Sequence, residues 1–224
     1  TKPLYNCESQ FARCMVKMGG FMRIKRLIGG ELMANGYIIS DRSGGECYII
    51  DPGYDYKYYV DYINKENLKL KGILLTHYHY DHTGAVGDLK KVFDVPVCIH
   101  SRDMSIDVYR RKPDVFLADG DVLMLGEETL QVINTPGHTH GSVCFFSEAG
   151  RIAFTGDTIF NVDLGTTELA DGSMQEMRES IINIIDKWSD DITIYPGHGD
   201  ECTMGYVRKI NREFLDIAGE KNDN

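Results

Sequence analysis

Seven consecutive residues, Thr76-His77-Tyr78-His79-Tyr80-Asp81-His82, hold three of the chain's 7 histidines and one carboxylate. Imidazole and carboxylate donors at this density suit a divalent metal such as zinc, manganese or iron. The apolar run Ile73-Leu74-Leu75 leads directly into them. The same arrangement recurs three times. Val132-Ile133-Asn134-Thr135 runs into Pro136-Gly137-His138, Ile152-Ala153-Phe154-Thr155 into Gly156-Asp157, and Ile192-Thr193-Ile194-Tyr195 into Pro196-Gly197-His198. The donors collected this way are His77, His79, Asp81, His82, His138, Asp157 and His198. They exceed what one tetrahedral zinc accepts and match two metals sharing a bridging carboxylate.

Each donor group follows a short β-type run, three of them through a Gly turn, so the site is expected where strands end. Layered α/β enzymes build their sites there. Glycine removes Cβ bulk where the backbone turns tightly beside such a site. The alternation of Met22 to Leu27 reads as a half-buried strand. Tyr37 to Ser40 and Cys47 to Ile50 read as a hairpin around Asp41-Arg42-Ser43-Gly44-Gly45. Asp51-Pro52-Gly53 ends the second of these; Asp51 reads first as a turn former, with a hydrogen bond near the donors as the alternative. Tyr56 to Asn64 reads as a helix whose Tyr59, Tyr62 and Ile63 stripe packs inward.

Gly72 to Thr76 is the first donor-bearing strand. One helix is expected from Asp81 and His82 to about Phe93, followed by the run Pro96 to Ile99. His100 reads as a strand-end histidine and Ser101-Arg102-Asp103 as the start of a further helix. Arg110-Arg111-Lys112-Pro113 reads as a solvated basic loop. Short strands are expected at Val122 to Leu125, Leu130 to Ile133, Val143 to Phe146 and Ile152 to Phe154. His140, two residues after His138, is expected to bond within its own turn, with a supporting contact to a donor as the alternative. A polar loop fills 161–171. Ser173 is suited to cap a helix Met174 to Trp188. A final strand Ile192 to Tyr195 and a helix Thr203 to Ile217 close the chain. The halves, 22–115 and 120–217, imply an α/β (α+β) fold of two packed mixed sheets with outer helices, a four-layer αβ/βα sandwich.

The series H-x-H-x-D-H, T-P-G-H, F-T-G-D and P-G-H resembles the metallo-β-lactamase superfamily over about residues 22 to 216. Within it the chain is most similar to the glyoxalase II-like hydrolases (hydroxyacylglutathione hydrolases). Asp157 stands where a true β-lactamase usually has Cys, and His79 where flavodiiron relatives carry Glu. The resemblance implies that His77, His79 and His138 hold one metal, that Asp81, His82 and His198 hold a second, and that Asp157 bridges them. Asp81 would also act in catalysis by orienting the nucleophile. Two divalent ions are implied, zinc first, with iron or manganese as alternatives. The reaction implied is hydrolysis of a thioester or related ester through a metal-bridging hydroxide. Other chemistries of the fold are a one-iron persulfide dioxygenase-like oxidation and a lactonase or phosphodiesterase activity. Gly165-Thr166-Thr167-Glu168-Leu169 replaces the G-R-x-D-L of many relatives, so Thr166 loses an arginine's anion contact. The loss of that arginine, and Asp200 two residues after His198, predict weak selectivity for a glutathione portion.

The chain has 224 residues, 42% hydrophobic and 26% charged, enough for a substantial core. Residues 22–224 are expected to form a single domain, with 1–21 an N-terminal extension of uncertain status. The net charge of −10 argues against nucleic acid as a partner. A small-molecule substrate is expected, without membrane association and in the cytoplasm. The six cysteines form no C-x-x-C pair and read as buried thiols, with Cys202 outside the donor set.

Overall fold

The computed structural model describes residues 22–103 and 113–219. Two six-stranded sheets carry the fold. The first runs in chain order: β1 (Arg23–Gly29), β2 (Ala34–Ser40), β3 (Glu46–Ile50), β4 (Lys69–Leu74), β5 (Val97–His100) and β6 (Val115–Leu117). Its first three strands are antiparallel and the rest join in parallel. The second holds β7 (Val122–Leu125), β8 (Glu128–Asn134), β9 (Val143–Ser147), β10 (Ile152–Gly156), β11 (Thr193–Pro196) and β12 (Cys202–Thr203). There only β10 and β11 are parallel.

Three hydrophobic clusters define the layers. Period-two alternation sends Tyr37, Ile39, Tyr48, Ile50, Phe145 and Phe154 into the cluster between the sheets. The alternate residues Ile38, Cys47 and Ile49 face outward against α1 (Tyr56–Lys65) and α3 (Val86–Val92). Beyond the second sheet, Ala153 and Ile194 pack with Met177 and Ile181 of α4 (Met174–Asn183), Val207 of α5 (Met204–Ile210) and Phe214 of α6 (Arg212–Gly219). The expected αβ/βα sandwich is therefore the observed architecture. β2 is buried along its whole length because both of its faces are covered.

Three helices differ from expectation, each for a local reason. The helix expected from Asp81 to Phe93 is two pieces, α2 (Tyr80–Thr83) and α3. The Ala85 N–H donates to the Pro52 carbonyl, and the Thr83 hydroxyl to the His79 carbonyl, so the ladder is interrupted between them. Ser173 caps α4 as expected, accepting from the Glu176 N–H at 3.3 Å, but the helix ends at Asn183. A 3-10 turn Ile185–Lys187 then puts Ile185 into the core. The last helix breaks at Asn211, whose side-chain amide donates to the Phe160 and Asp163 carbonyls while its oxygen accepts from the Phe214 N–H. Ser101–Asp103 form a 3-10 turn, and the rest of the helix expected there lies outside the described residues, as do Arg110, Arg111, Lys112 and residues 1–21. The three-residue strand β6, mostly exposed, has too little pattern to be read from sequence.

Candidate metal centre

Donor loops from both sheets converge at one end of the sandwich. The loop after β4 brings His77 and His79, and α2 brings Asp81 and His82. The loops after β8, β10 and β11 bring His138, Asp157 and His198. All seven expected donors meet. They fall into the groups His77/His79/His138 and Asp81/His82/His198, each with its donor atoms within 4.8 Å of one another. Asp157 lies between the groups: Oδ2 is 3.5 Å from His138 Nε2 and 3.4 Å from His198 Nε2, and Oδ1 is 3.3 Å from His82 Nε2.

Neighbouring groups fix which imidazole nitrogen faces inward. The His138 Nδ1–H donates to the Thr166 carbonyl at 2.7 Å, leaving Nε2 with its lone pair turned to His79 Nδ1 at 2.8 Å. The His198 Nδ1–H donates to the Leu32 carbonyl at 3.1 Å, leaving Nε2 facing His82 Nε2 at 3.3 Å. His77 Nδ1 meets the Thr76 hydroxyl at 3.0 Å. Its Nε2 is buried with no hydrogen-bond partner, and the same is true of Asp157 Oδ1. Buried polar atoms without partners are costly. A cluster of inward lone pairs around such atoms is what a metal site requires, so the residues fit the divalent ions that the donor set implies.

The two groups differ in electrostatics. Burial, together with the surrounding histidines, holds His77 well below the ordinary histidine pKa and His79 at about 4. Burial works against charge on His82 too, but Asp157, Asp51 and Asp81 outweigh it and hold His82 well above the ordinary value. Against burial, hydrogen bonds to Asp157 and Asp81 hold His198 at about 9. Asp81 and Asp157 stay below the usual carboxylate range, because their histidine contacts overcome their own desolvation.

Several further residues build the frame: sequence reasoning passed over Asn35 and Tyr37, and for Asp51 the alternative reading, a hydrogen bond near the donors, is the one observed. Asp51, the turn former, is a floor beam of the site. Its Oδ1 accepts the Thr76 N–H at 2.8 Å, its Oδ2 accepts the Thr76 hydroxyl at 2.6 Å, and Oδ2 lies 3.3 Å from His82 Nδ1. It does this from a left-handed backbone, φ +47°, which Asp tolerates better than most residues. The Asn35 amide donates to the Pro196 and Gly199 carbonyls and the Tyr37 hydroxyl to the Pro196 carbonyl, fixing the loop that carries His198. Thr166 serves through its carbonyl, a role that the missing arginine does not affect. Two glycines permit close approach: a Cβ at Gly53 would lie 1.4 Å from the Asp81 carbonyl oxygen, and one at Gly165 1.7 Å from that of Asp157.

The remaining candidates lie apart. His140 bonds not within its turn but to Glu176 of α4, Nδ1 to Oε2 at 2.7 Å. His100 ends β5 and its Nδ1 accepts from the Arg102 N–H, as a strand-end histidine would. Cys202 is half-buried on β12 and belongs to none of the donor groups, and Cys47, Cys98 and Cys144 are buried free thiols. Among the described residues, no helix is long and apolar enough to cross a membrane.

The family model of the metallo-beta-lactamase superfamily matches residues 29–198. The hydroxyacylglutathione hydrolase GloC of Haemophilus influenzae is 32% identical over 180 residues, covering 73% of this chain and 84% of that protein. The crystal structure of the BLEG-1 B3 metallo-beta-lactamase superposes with a TM-score of 0.75 at 30% identity, covering 84% of this chain and 97% of that one. That of TTHA1623 in a di-iron-bound form gives 0.73 at 27% identity, covering 84% and 98%.

Proposed function

The chain belongs to the metallo-beta-lactamase superfamily, and on that premise we propose that it is a binuclear metal-dependent hydrolase of thioesters or related esters. The observation that carries this reading is the pair of complete donor groups joined by one carboxylate. His77, His79 and His138 would hold one ion and Asp81, His82 and His198 the other, with Asp157 shared. Zinc is the first choice for this mixture of imidazole and carboxylate, and the di-iron-bound form of TTHA1623 keeps iron in view. Divalent ions at such a site supply an activated water at neutral pH and polarise an acyl carbonyl.

The chain's own residues do the positioning. The Thr166 and Leu32 carbonyls hold the imidazoles in the tautomer that presents Nε2 to the centre. The Asp81 carboxylate, 13% exposed, sits at the edge of the centre and can accept a hydrogen bond that orients the attacking water. Buried Asp157 and Asp51 keep negative charge beneath it.

GloC supports a thioester as substrate class, whereas BLEG-1 keeps a β-lactam in the panel of candidates. Asp157, standing where true β-lactamases usually have Cys, favours the thioester. Thr166 and Asp200 supply no cation for a glutathione portion, so selectivity for that portion is expected to be weak. The test reconstitutes the protein with zinc, iron or manganese, counts metal per chain, and compares kcat/KM for lactoylglutathione, an acyl thioester of a small neutral thiol, and a β-lactam. Two metals and turnover of both thioesters are expected. One tightly bound metal overturns the binuclear site, and turnover of the β-lactam alone overturns the substrate class. A glutathione preference above roughly a thousandfold, about 4 kcal/mol, would reveal a dedicated subsite.

A further inference from the structure

One buried carboxylate outside the seven donors joins the two halves of the molecule. Asp103 closes the 3-10 turn after β5 and is 2% exposed. Its Oδ1 accepts the Gly141 N–H at 2.6 Å and its Oδ2 the Thr139 hydroxyl at 2.8 Å. The Tyr78 N–H also hydrogen-bonds to it. Tyr78 separates His77 from His79, and Thr139 directly follows His138. Asp103 therefore ties the loop carrying two donors of the all-histidine group to the loop carrying the third. Gly141 is fitted to this contact, since a Cβ there would lie 2.4 Å from Asp103 Oδ1.

Among the described residues, no cationic side chain pairs with Asp103. A buried carboxylate held only by neutral donors is an expensive way to fill space, and an apolar side chain would do so at less cost. What the carboxylate adds is two acceptor oxygens reaching three donors on two loops from different sheets. The other donor group has a frame of its own in Asn35 and Tyr37 at the His198 loop, while Asp51 lies beneath both His82 and His77.

We infer that Asp103 is a positioning residue for the His77/His79/His138 group alone. It sets the spacing between the His79 and His138 loops, and through that spacing the metal affinity of one half of the centre. The affinity part rests on the metallohydrolase reading; the tie between the loops belongs to the metal-free chain.

The test uses the full chain and zinc alone. Chelator competition on Asp103→Ala should weaken one zinc equivalent by ~10–100-fold and leave the other unchanged. Asp103→Asn should restore it, because the amide oxygen can take the Gly141 N–H and the amide nitrogen can donate to the Thr139 hydroxyl. A purely structural loss would instead lower both equivalents together. That result, or no change in either, overturns the inference. In metal-free protein the Tyr78 and Gly141 amides should exchange faster in Asp103→Ala and return towards wild-type rates in Asp103→Asn. If wild-type protein takes up no zinc, the metallohydrolase reading fails, and unaltered exchange of those two amides separately overturns the tie. Should Asp103→Ala not fold, Thr139→Val carries the test: it must weaken the same single equivalent and hasten Gly141 exchange, and its failure to do both overturns the proposal.

Discussion

Replacing Asp51 by alanine tests how much of the fold's stability is spent on framing the metal centre. The substitution removes both acceptors of Thr76. The Thr76 N–H, donating at 2.8 Å, sits in a residue 1% exposed and is left without a partner. An unsatisfied buried donor costs about 1–3 kcal/mol. The hydroxyl bond at 2.6 Å goes as well, but that hydroxyl keeps His77 Nδ1 within 3.0 Å, so its loss adds only about 1 kcal/mol. The left-handed backbone, φ +47°, suits Ala less than Asp and adds about 1 kcal/mol. Relief of a buried carboxylate offsets part of this. Metal-free Asp51→Ala should therefore lose about 2–4 kcal/mol in urea unfolding with an unchanged m-value. Asp51→Asn, which keeps an acceptor for the Thr76 N–H, should lose less. A loss below about 1 kcal/mol for Ala, or equal losses for the two variants, would show that Thr76 finds other partners and that Asp51 is no more than a turn former.

Three further outcomes follow from the same geometry. Asp157→Ala should impair metal-dependent turnover more than His140→Ala, because Asp157 touches both donor groups and His140 only Glu176; equal losses in two folded variants would refute this. Burial raises the Asp103 carboxyl from 3.8 to about 6, so the native chain binds its proton more tightly than the unfolded chain does and stability falls as pH rises between those values. At ~1.36 kcal/mol per pH unit this amounts to about 3 kcal/mol, and metal-free Asp103→Asn should gain up to that much on wild type between pH 4 and 7; parallel stability curves would refute it. His198, held at about 9, keeps a proton that metal must displace at pH 7, whereas His79, at about 4, does not. Zinc affinity of the carboxylate-containing group should rise at least ~tenfold per pH unit from 6 to 8 and that of the all-histidine group by less; equal slopes would refute the assignment.

The donors were legible because chemistry and local structure coincide in them: all lie just beyond a β-type run, and His138, Asp157 and His198 also follow a Gly turn, in a chain with few histidines. The sheets were legible because both faces of β2 and β3 are covered by neighbouring layers, which leaves short, nearly continuous apolar runs. What escaped is what depends on tertiary partners. Asn211 is an unremarkable helix residue until the Phe160 and Asp163 carbonyls arrive to divert its amide. For Asp51 the sequence offers both a turn role and a hydrogen bond near the donors and nothing local decides between them, while Asn35 and Asp103 look like ordinary strand and turn polar residues whose distant partners nothing local announces. Thr166 acts through its backbone, so its side chain carries no signal. A carboxylate buried at 2–3% exposure would be the telling mark of Asp51 and Asp103, and burial is a property of the assembled fold.

These hidden residues account for how two unlike halves share one site. The Asp81/His82/His198 group brings its own negative charge, and Asp51 adds more behind His82. A dication there would be attracted before its geometry was ideal, and without it protons fill the gap between carboxylate and imidazole. The His77/His79/His138 group has no charge of its own; Asp157 reaches it from one side and Asp51 lies beside His77, and both are shared with the other half. Three neutral imidazoles bind a dication well only when their lone pairs already converge, because shared carboxylates compensate a misplaced ring less than a carboxylate within the group does. The framing around that group fits this need: the Thr166 carbonyl sets the His138 tautomer, the Thr76 hydroxyl steadies His77, and Asp103 fixes the distance between the two loops. Charge does part of the work in one half of the centre, and rigidity has to do most of it in the other.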